Sequence, residues 1–329
     1  MKGLPGIFAA GSAIIFFALA ATSTPAGGAA AGRGIREAPE VSPGGGTAPR
    51  PFYLPYQYSS FADDTAFYAN AYSAAGQTAD DASLKGTNCC TEFTEGGIGS
   101  IRAGTISHHL FIRDLIARYF TGLARRVHPG TIILIGPNHH ARGHSPIAIS
   151  AIRWRTPFGF VEPDTARIRK ISGTGLACVE EEPFVNEHSI GALVPFIRRT
   201  FPGTLILPII YKKTAERRDC AELGRVLAGM IDSAIVLASL DFSHYRTCSE
   251  AEKEDIASLG VLLSLATERI DEAFVDSRPA FLTLLSLSRT IGAARVEVVD
   301  HTNSGILSHN RRVGCTSYIN TYIETRGGR

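Results

Sequence analysis

The order of apolar and polar positions divides most of the chain into alternating strands and helices. Residues 131–135, Thr-Ile-Ile-Leu-Ile, form an unbroken run of four β-branched residues and one Leu. The run does not alternate apolar with polar, so it predicts a strand buried on both faces. Gly136-Pro137 is expected to end it, because proline cannot donate to a central ladder. His139 and His140 then follow just beyond the carboxyl end, which is where open α/β sheets bind ligands.

The rest of the pattern fits the same plan. Residues 96–106 read as a strand interrupted by glycines, ending in Ser107-His108-His109. Residues 110–127 carry apolar side chains at 111, 112, 115, 116, 119, 120 and 123, which is helical spacing. Strand, helix and strand 131–135 together predict a parallel pair with a right-handed crossover. Downstream, strands are expected at 146–152, 205–211, 234–240, 296–299 and 316–323, with 154–157 a turn. Helices are expected at 64–75, from 186 to about 199 with Asn186 as N-cap, and at 220–231, 252–267, 270–275 and 280–290. The alternation predicts an α/β fold: a single domain with a central, largely parallel sheet flanked by helices.

The N-terminal pattern differs. Lys2 precedes a nearly unbroken apolar stretch from Ile7 to Ala21, and small-x-small triplets follow at Ala18-Leu19-Ala20 and Thr24-Pro25-Ala26. Residues 1–26 therefore read as a secretory signal peptide, with an uncleaved membrane anchor as the alternative. Residues 27–51 are a Gly/Ala/Pro-rich linker, and the folded domain is expected over 52–329, beginning with the aromatic stretch Phe52-Tyr53-Leu54-Pro55-Tyr56. On either reading the domain is expected outside the cytoplasm, periplasmic or extracellular. There the six cysteines could form one or two disulfides, or remain buried thiols. A net charge of +2 gives no electrostatic case for nucleic acid as a partner. No membrane contact is expected beyond the N-terminal segment.

The candidate chemistry lies at strand ends. His108-His109, His139-His140 and His244 each follow a predicted strand, and neighbouring strand ends bring their side chains into one crevice. Imidazole suits iron, copper, zinc and nickel. Within each pair one ring is expected to face the site and the other to support it. Glu187 opens a predicted helix, where a carboxylate is favoured in any case. It is a candidate base, and His188 beside it is a candidate proton donor or substrate contact. Asp241, three residues before His244, could fix a ring tautomer.

Four segments, in order, carry a resemblance. They are Ile135-Gly136-Pro137-Asn138-His139-His140, Asn186-Glu187-His188-Ser189-Ile190, Ser239-Leu240-Asp241-Phe242-Ser243-His244, and Asn303-Ser304-Gly305 before a terminal strand. Over roughly 95–325 the chain resembles the Memo family, known in prokaryotes as AmmeMemoRadiSam system protein B. That resemblance implies a class III extradiol dioxygenase-like fold. It implies His108, His139 and His244 around a metal, with His244 a third ligand or an acid–base group, and a functional link to a radical SAM protein. Ser107 stands where the family has Pro before its first His. Animal members have Cys-Gly before a Pro; by spacing from Pro279, Val275 and Asp276 stand there instead. Asp276 could complete a 2-His-1-carboxylate set suited to non-haem Fe(II), or could cap the helix that follows.

The expected function is that of a Memo-like metal-binding protein. Mononuclear iron with redox or dioxygenase-like chemistry on an unidentified small molecule is the leading form, with copper and zinc as other metals. A zinc-dependent hydrolase using Glu187 as base, and a non-catalytic metal- or partner-binding protein, are the alternatives.

Overall fold

In the computed structural model, residues 56–77, 90–92, 98–311 and 314–326 are described. The predicted signal segment, the linker and most of the aromatic stretch at 52–56 lie outside them. No described helix is long and apolar enough to cross a membrane.

In chain order the elements begin with β1 (Gln57–Tyr58), α1 (Thr65–Gln77), β2 (Cys90–Glu92), β3 (Ile98–Ile106), α2 (Arg113–Ala124) and β4 (Thr131–Pro137). Next come β5 (Ile147–Ile149), β6 (Trp154–Thr156), β7 (Gly159–Val161), α3 (Thr165–Ser172), β8 (Cys178–Val179), α4 (His188–Gly191) and α5 (Val194–Thr200). Then follow β9 (Leu205–Tyr211), α6 (Arg217–Ala228), β10 (Ala234–Ser239), β11 (Phe242–Arg246) and α7 (Cys248–Ser264). The chain closes with α8 (Arg278–Thr290), β12 (Ala293–Asn303), α9 (Ser304–Leu307) and β13 (Cys315–Arg326).

All seven residues of β4 are buried. Successive side chains point to opposite faces of a strand. Accordingly, Ile133 and Ile135 pack with Leu223 of α6 and Phe281 and Leu284 of α8, while Ile132 and Leu134 pack with Ile116 and Phe120 of α2 and Phe196 of α5. The unbroken apolar run is thus explained by two helical layers, one on each face.

The main sheet runs β2-β12-β13-β3-β10-β4-β9-β5-β8, with β11 paired to β13. Its centre, β3-β10-β4-β9, is parallel. The flanks through β13, β12 and β2, and the β5–β9 pair, are antiparallel. The fold is therefore a single α/β domain whose sheet is parallel at its centre, where the site lies, and again at the β5–β8 edge. β3 and β4 are parallel, as the crossover requires, but β10 is inserted between them. That insertion brings the ends of β3, β4 and β10 side by side.

Several boundaries differ from the pattern-based expectation. β4 continues through Gly136-Pro137, because Pro137 pairs with Tyr211 of β9 after the pairing to β10 has stopped at Ile135. Of residues 154–157, Trp154–Thr156 form a strand of the β6–β7 hairpin and only Pro157 belongs to its turn. The helix expected from 186 to 199 is two helices, with Ala192 and Leu193 between them. Asn186 does not cap the first of these. It sits at φ +61°, and the Glu187 carboxylate accepts the Ser189 N–H instead. α7 starts at Cys248 through a capping box of Thr247 and Glu250. Residues 267–272 form a 3-10 turn in place of the helix expected at 270–275.

Of the cysteines, Cys248 and Cys315 form a disulfide, whereas Cys178 and Cys220 are free. Closing a loop with a sequence separation of 67 stabilises the fold by about 4 kcal/mol in the chain-entropy treatment.

Candidate metal centre

The carboxyl ends of β3, β4 and β10 open onto one crevice. His108 leaves β3 two residues after Ile106, and His139 leaves β4 two residues after Pro137. His244 arrives on β11 instead of at a strand end. Asp276 arrives by a separate route. Residues 274–276 run antiparallel to 241–243, with Ser243 N–H donating to Phe274 O at 2.9 Å and Asp276 N–H to Asp241 O at 3.1 Å. The α8 N-cap is Ser277, whose hydroxyl oxygen accepts from Ala280 N–H. Asp276 is therefore not the cap; its Oδ2 accepts the Asp241 N–H at 3.2 Å and faces the crevice.

The three rings meet at that carboxylate. Nε2 of His108 lies 3.4 Å from Asp276 Oδ2, and Nε2 of both His139 and His244 lies 4.0 Å from the same oxygen. Asp241 Oδ2 adds a second carboxylate oxygen, 3.6 Å from His108 Nε2 and 3.9 Å from His244 Nε2. His108 Nε2, His244 Nε2 and Asp276 Oδ1 are all buried and have no hydrogen-bond partner among the described residues. Buried polar atoms are rarely left so. His108, Asp241 and Asp276 offer ligand atoms that all lie within 4.8 Å of one another, so this donor set fits a metal ion, with His139 and His244 at its edge.

Ring orientation is set by groups behind the histidines. Ser239 donates its one hydroxyl proton to Ser189 O at 2.5 Å, so the His108 Nδ1 contact at 3.0 Å must be a donation from the ring. Nδ1 then carries the proton, and the Nε2 lone pair faces the crevice. Glu187 does the same for His139. Its Oε1 accepts from His139 Nδ1 at 2.7 Å and from Ser189 N–H at 2.9 Å, and its Oε2 from His139 N–H at 2.8 Å. Gly136 permits this packing, since a Cβ there would stand 3.1 Å from Ser189 Cβ and 3.2 Å from Ser239 O.

The charges follow from burial. The buried His108 ring is held down to about 3, against a smaller upward pull from Asp241, so it is neutral at ordinary pH. Burial also lowers His188 and His244. Burial, then the charge of Asp241, pushes the Asp276 carboxyl well above its usual range. Burial opposes ionisation of Asp241, but His108 and the Ser107 hydroxyl outweigh it and hold its carboxyl low. Glu187 falls to about 2: burial would raise it, but the hydrogen bonds from the His139 ring and from the Ser189 and His139 N–H groups prevail.

Each sequence-identified residue can now be placed. His108, His139, His244 and Asp276 converge. His188 stacks on His139 with ring centroids 4.0 Å apart, and half of its side chain is exposed. His108, His139 and His188 also form a group with mutually close nitrogens. Glu187 is at the site, but its carboxylate is committed to holding His139 and Ser189, so it is an orienting group rather than a free base. The supporting roles expected of His109 and His140 are not observed. His109 Nδ1 pairs with Tyr318 OH at 2.7 Å, and His140 is exposed. Ser239 and Glu187 do that work.

Asp241 contributes more than expected, since it faces two of the three rings. Ser107 explains its own departure from proline: its N–H donates to Asn320 Oδ1 at 2.8 Å and its hydroxyl to Asp241 Oδ1. Ser239 opens one of the four segments that carry the resemblance and is the one polar residue at the end of an apolar strand, but neither signal points to its role behind His108.

A family profile described as Memo-like protein matches residues 88–319. A MEMO1 family protein of Caldivirga maquilingensis is 28% identical over 218 residues, covering 63% of this chain and 74% of its own. One from Aquifex aeolicus is 32% identical over 187 residues, covering 54% and 69%. One from Methanosarcina barkeri is 31% identical over 189 residues, covering 54% and 70%. The profile spans every residue of the crevice named above, and on that match the chain belongs to the Memo-like protein family.

Proposed function

We propose that this protein holds one metal ion through Nε2 of His108, His139 and His244 and the Asp276 carboxylate. On this reading the ion is Fe(II), and it serves redox or dioxygenase-like chemistry on a small organic substrate. The observation that carries the reading is the approach of three imidazole nitrogens to a single oxygen of Asp276. Mixed imidazole and carboxylate donors without a thiolate favour iron over Cu(I). Zinc is compatible with the donors, but a zinc hydrolase would need a free base, and both oxygens of Glu187 are already occupied.

When bound, such an ion supplies open positions where a substrate oxygen and O₂ can meet. The chain's own residues do the rest. Ser239 and Glu187 keep two ring nitrogens unprotonated toward the crevice. Asp241 and Asp276 supply negative charge that offsets the cation. His188, half-exposed above His139, is placed to exchange a proton with a substrate at the mouth.

The test is anaerobic loading with Fe(II) or Zn(II), elemental analysis, and O₂ uptake with a panel of catechols. About one iron per chain is expected in the wild type, with most of it lost in His139→Ala and Asp276→Ala. Unchanged metal content in His139→Ala would overturn the site. Tight zinc retention without O₂ uptake would overturn the iron chemistry.

A further inference from the structure

Asp255 of α7 is a buried carboxylate that the metal centre does not use. Its Oδ1 accepts the Ser243 hydroxyl at 2.7 Å, and its Oδ2 lies 3.0 Å from His301 Nε2. A carboxylate only accepts, so the His301 ring donates through Nε2. Asp255 therefore joins three elements: α7, which carries it, β12 through His301, and β11 through Ser243. Ser243 is also buried, and it immediately precedes His244.

The backbone on either side of His244 is left-handed. Ser243 has φ +43° and Tyr245 has φ +56°. Neither residue is Gly, Asn or Asp, the types that visit this region most readily. Such a conformation persists only where its surroundings over-determine it. Burial of the Tyr245 ring is not the reason, since that residue is 90% exposed. What the two left-handed residues do is aim the one between them, placing His244 Nε2 3.9 Å from Asp241 and 4.0 Å from Asp276.

Besides its pairing with β13 and the Arg246–Glu254 ion pair at 2.9 Å, three tethers hold this short strand. Ser243 N–H donates to Phe274 O, which ties β11 to the segment bearing Asp276. The Ser243 hydroxyl is held by Asp255. The Cys248–Cys315 disulfide joins the start of α7 to the start of β13, where Cys315 is in register with Arg246 of β11. Of these, only the Asp255 bond is made by a side chain of the residue adjoining His244.

We infer that Asp255 is a positioning residue for His244: by gripping the Ser243 hydroxyl it keeps the strand in its left-handed form and the His244 ring aimed into the crevice. The functional consequence rests on the reading of His244 as a metal ligand; the mechanical part does not. The experiment compares the wild type with Ser243→Ala and Asp255→Asn. Co(II) is titrated into each and its visible spectrum recorded. The His244 ring ¹H–¹⁵N signals of the metal-free proteins are followed in parallel, assigned with His244→Gln.

Both variants are expected to bind Co(II) at least about tenfold more weakly, with an altered spectrum, and to show shifted or split His244 ring signals. Unchanged ring signals and affinity, with only a lower Tm, would overturn the inference and leave Asp255 a structural residue. A wild type that binds no Co(II) would remove the metal reading, and the ring signals alone would then decide the positioning role. Should Asp255→Asn fail to fold, Ser243→Ala, which deletes one hydroxyl, decides instead.

Discussion

Replacing Ser239 by Ala removes one buried oxygen and tests the logic of the centre. The hydroxyl has two partners and no exposure: it donates to Ser189 O at 2.5 Å and accepts from His108 Nδ1 at 3.0 Å. Alanine leaves a buried carbonyl and a buried ring N–H unpaired. Each such group costs about 1–3 kcal/mol, so the loss of stability should be roughly 2–6 kcal/mol. For a domain of this size that is a fall in Tm of roughly 4–11 °C.

The larger effect is expected on metal binding. With Ser239 gone, nothing requires the His108 proton to stay on Nδ1, and a proton on Nε2 blocks the lone pair that faces Asp276. Loss of a group that orients a ligand typically weakens binding about 10- to 100-fold. Competition between the protein and a chromophoric chelator for Co(II) measures this directly, at a temperature well below the lowered Tm. Long-range ¹H–¹⁵N spectra of the wild type should show His108 protonated at Nδ1. A variant that loses stability but binds Co(II) as the wild type does would refute the argument, as would a wild-type His108 protonated at Nε2.

Two further outcomes follow from the geometry. His109→Ala and His140→Ala should change metal content little, because one ring faces Tyr318 and the other is exposed; loss of metal in either, measured by elemental analysis, would restore the supporting role denied to them above. Asp164 caps α3 by accepting Arg167 N–H at 3.0 Å, and its other oxygen takes the Thr131 hydroxyl at 2.8 Å. Burial would raise its carboxyl, but the bonds from Arg167 and Thr131 hold it below the ordinary value of 3.8. A depressed folded pKa adds stability above the unfolded value and loses it as pH falls through the folded one. Asp164→Asn should therefore destabilise at neutral pH by about 1–3 kcal/mol, with the gap to wild type narrowing below about pH 4. A gap constant with pH in urea titrations would exclude this assignment.

The parts of the fold legible in the sequence are those where one local property decides. Strands β4 and β10 are buried on both faces, so their residues are apolar without interruption and their positions could be read directly. β12 was read as four residues but has eleven. Its polar members are absorbed by partners distant in sequence: Glu297 by Arg126, and Asp300 by Arg118 and Asn320. No local pattern announces such pairs. The insertion of β10 between β3 and β4 was equally invisible, since two parallel strands joined by a helix look the same whether or not a third lies between them.

The candidate site divides along the same line. Histidines after buried strands were legible because strand ends meet at one edge. Their supports were not. In His108-His109 and His139-His140 the neighbour was the obvious candidate, but adjacent residues leaving a strand point in different directions. Support came instead from Ser239, 131 residues after His108, and from Glu187, 48 residues after His139. Asp276 shows why spacing could not resolve its two roles. Ser277 and Asp276 are both good cap residues, and the choice fell to the backbone. Pairing of 274–276 with 241–243 turns Asp276 into the crevice and leaves Ser277 at the helix start.

That pairing also places two buried carboxylates at one edge, where every ion-pair partner among the described residues is a histidine. Neutral imidazoles cannot balance them. Buried like charges are disfavoured unless a proton or a cation intervenes. His108 is kept neutral by burial, and Ser239 fixes its proton on the far nitrogen, so the rings supply no balancing charge, and burial beside Asp241 pushes the Asp276 carboxyl well up. An arrangement meant only for stability would supply an arginine. One that leaves ring lone pairs and carboxylate oxygens facing each other fits the cation proposed above.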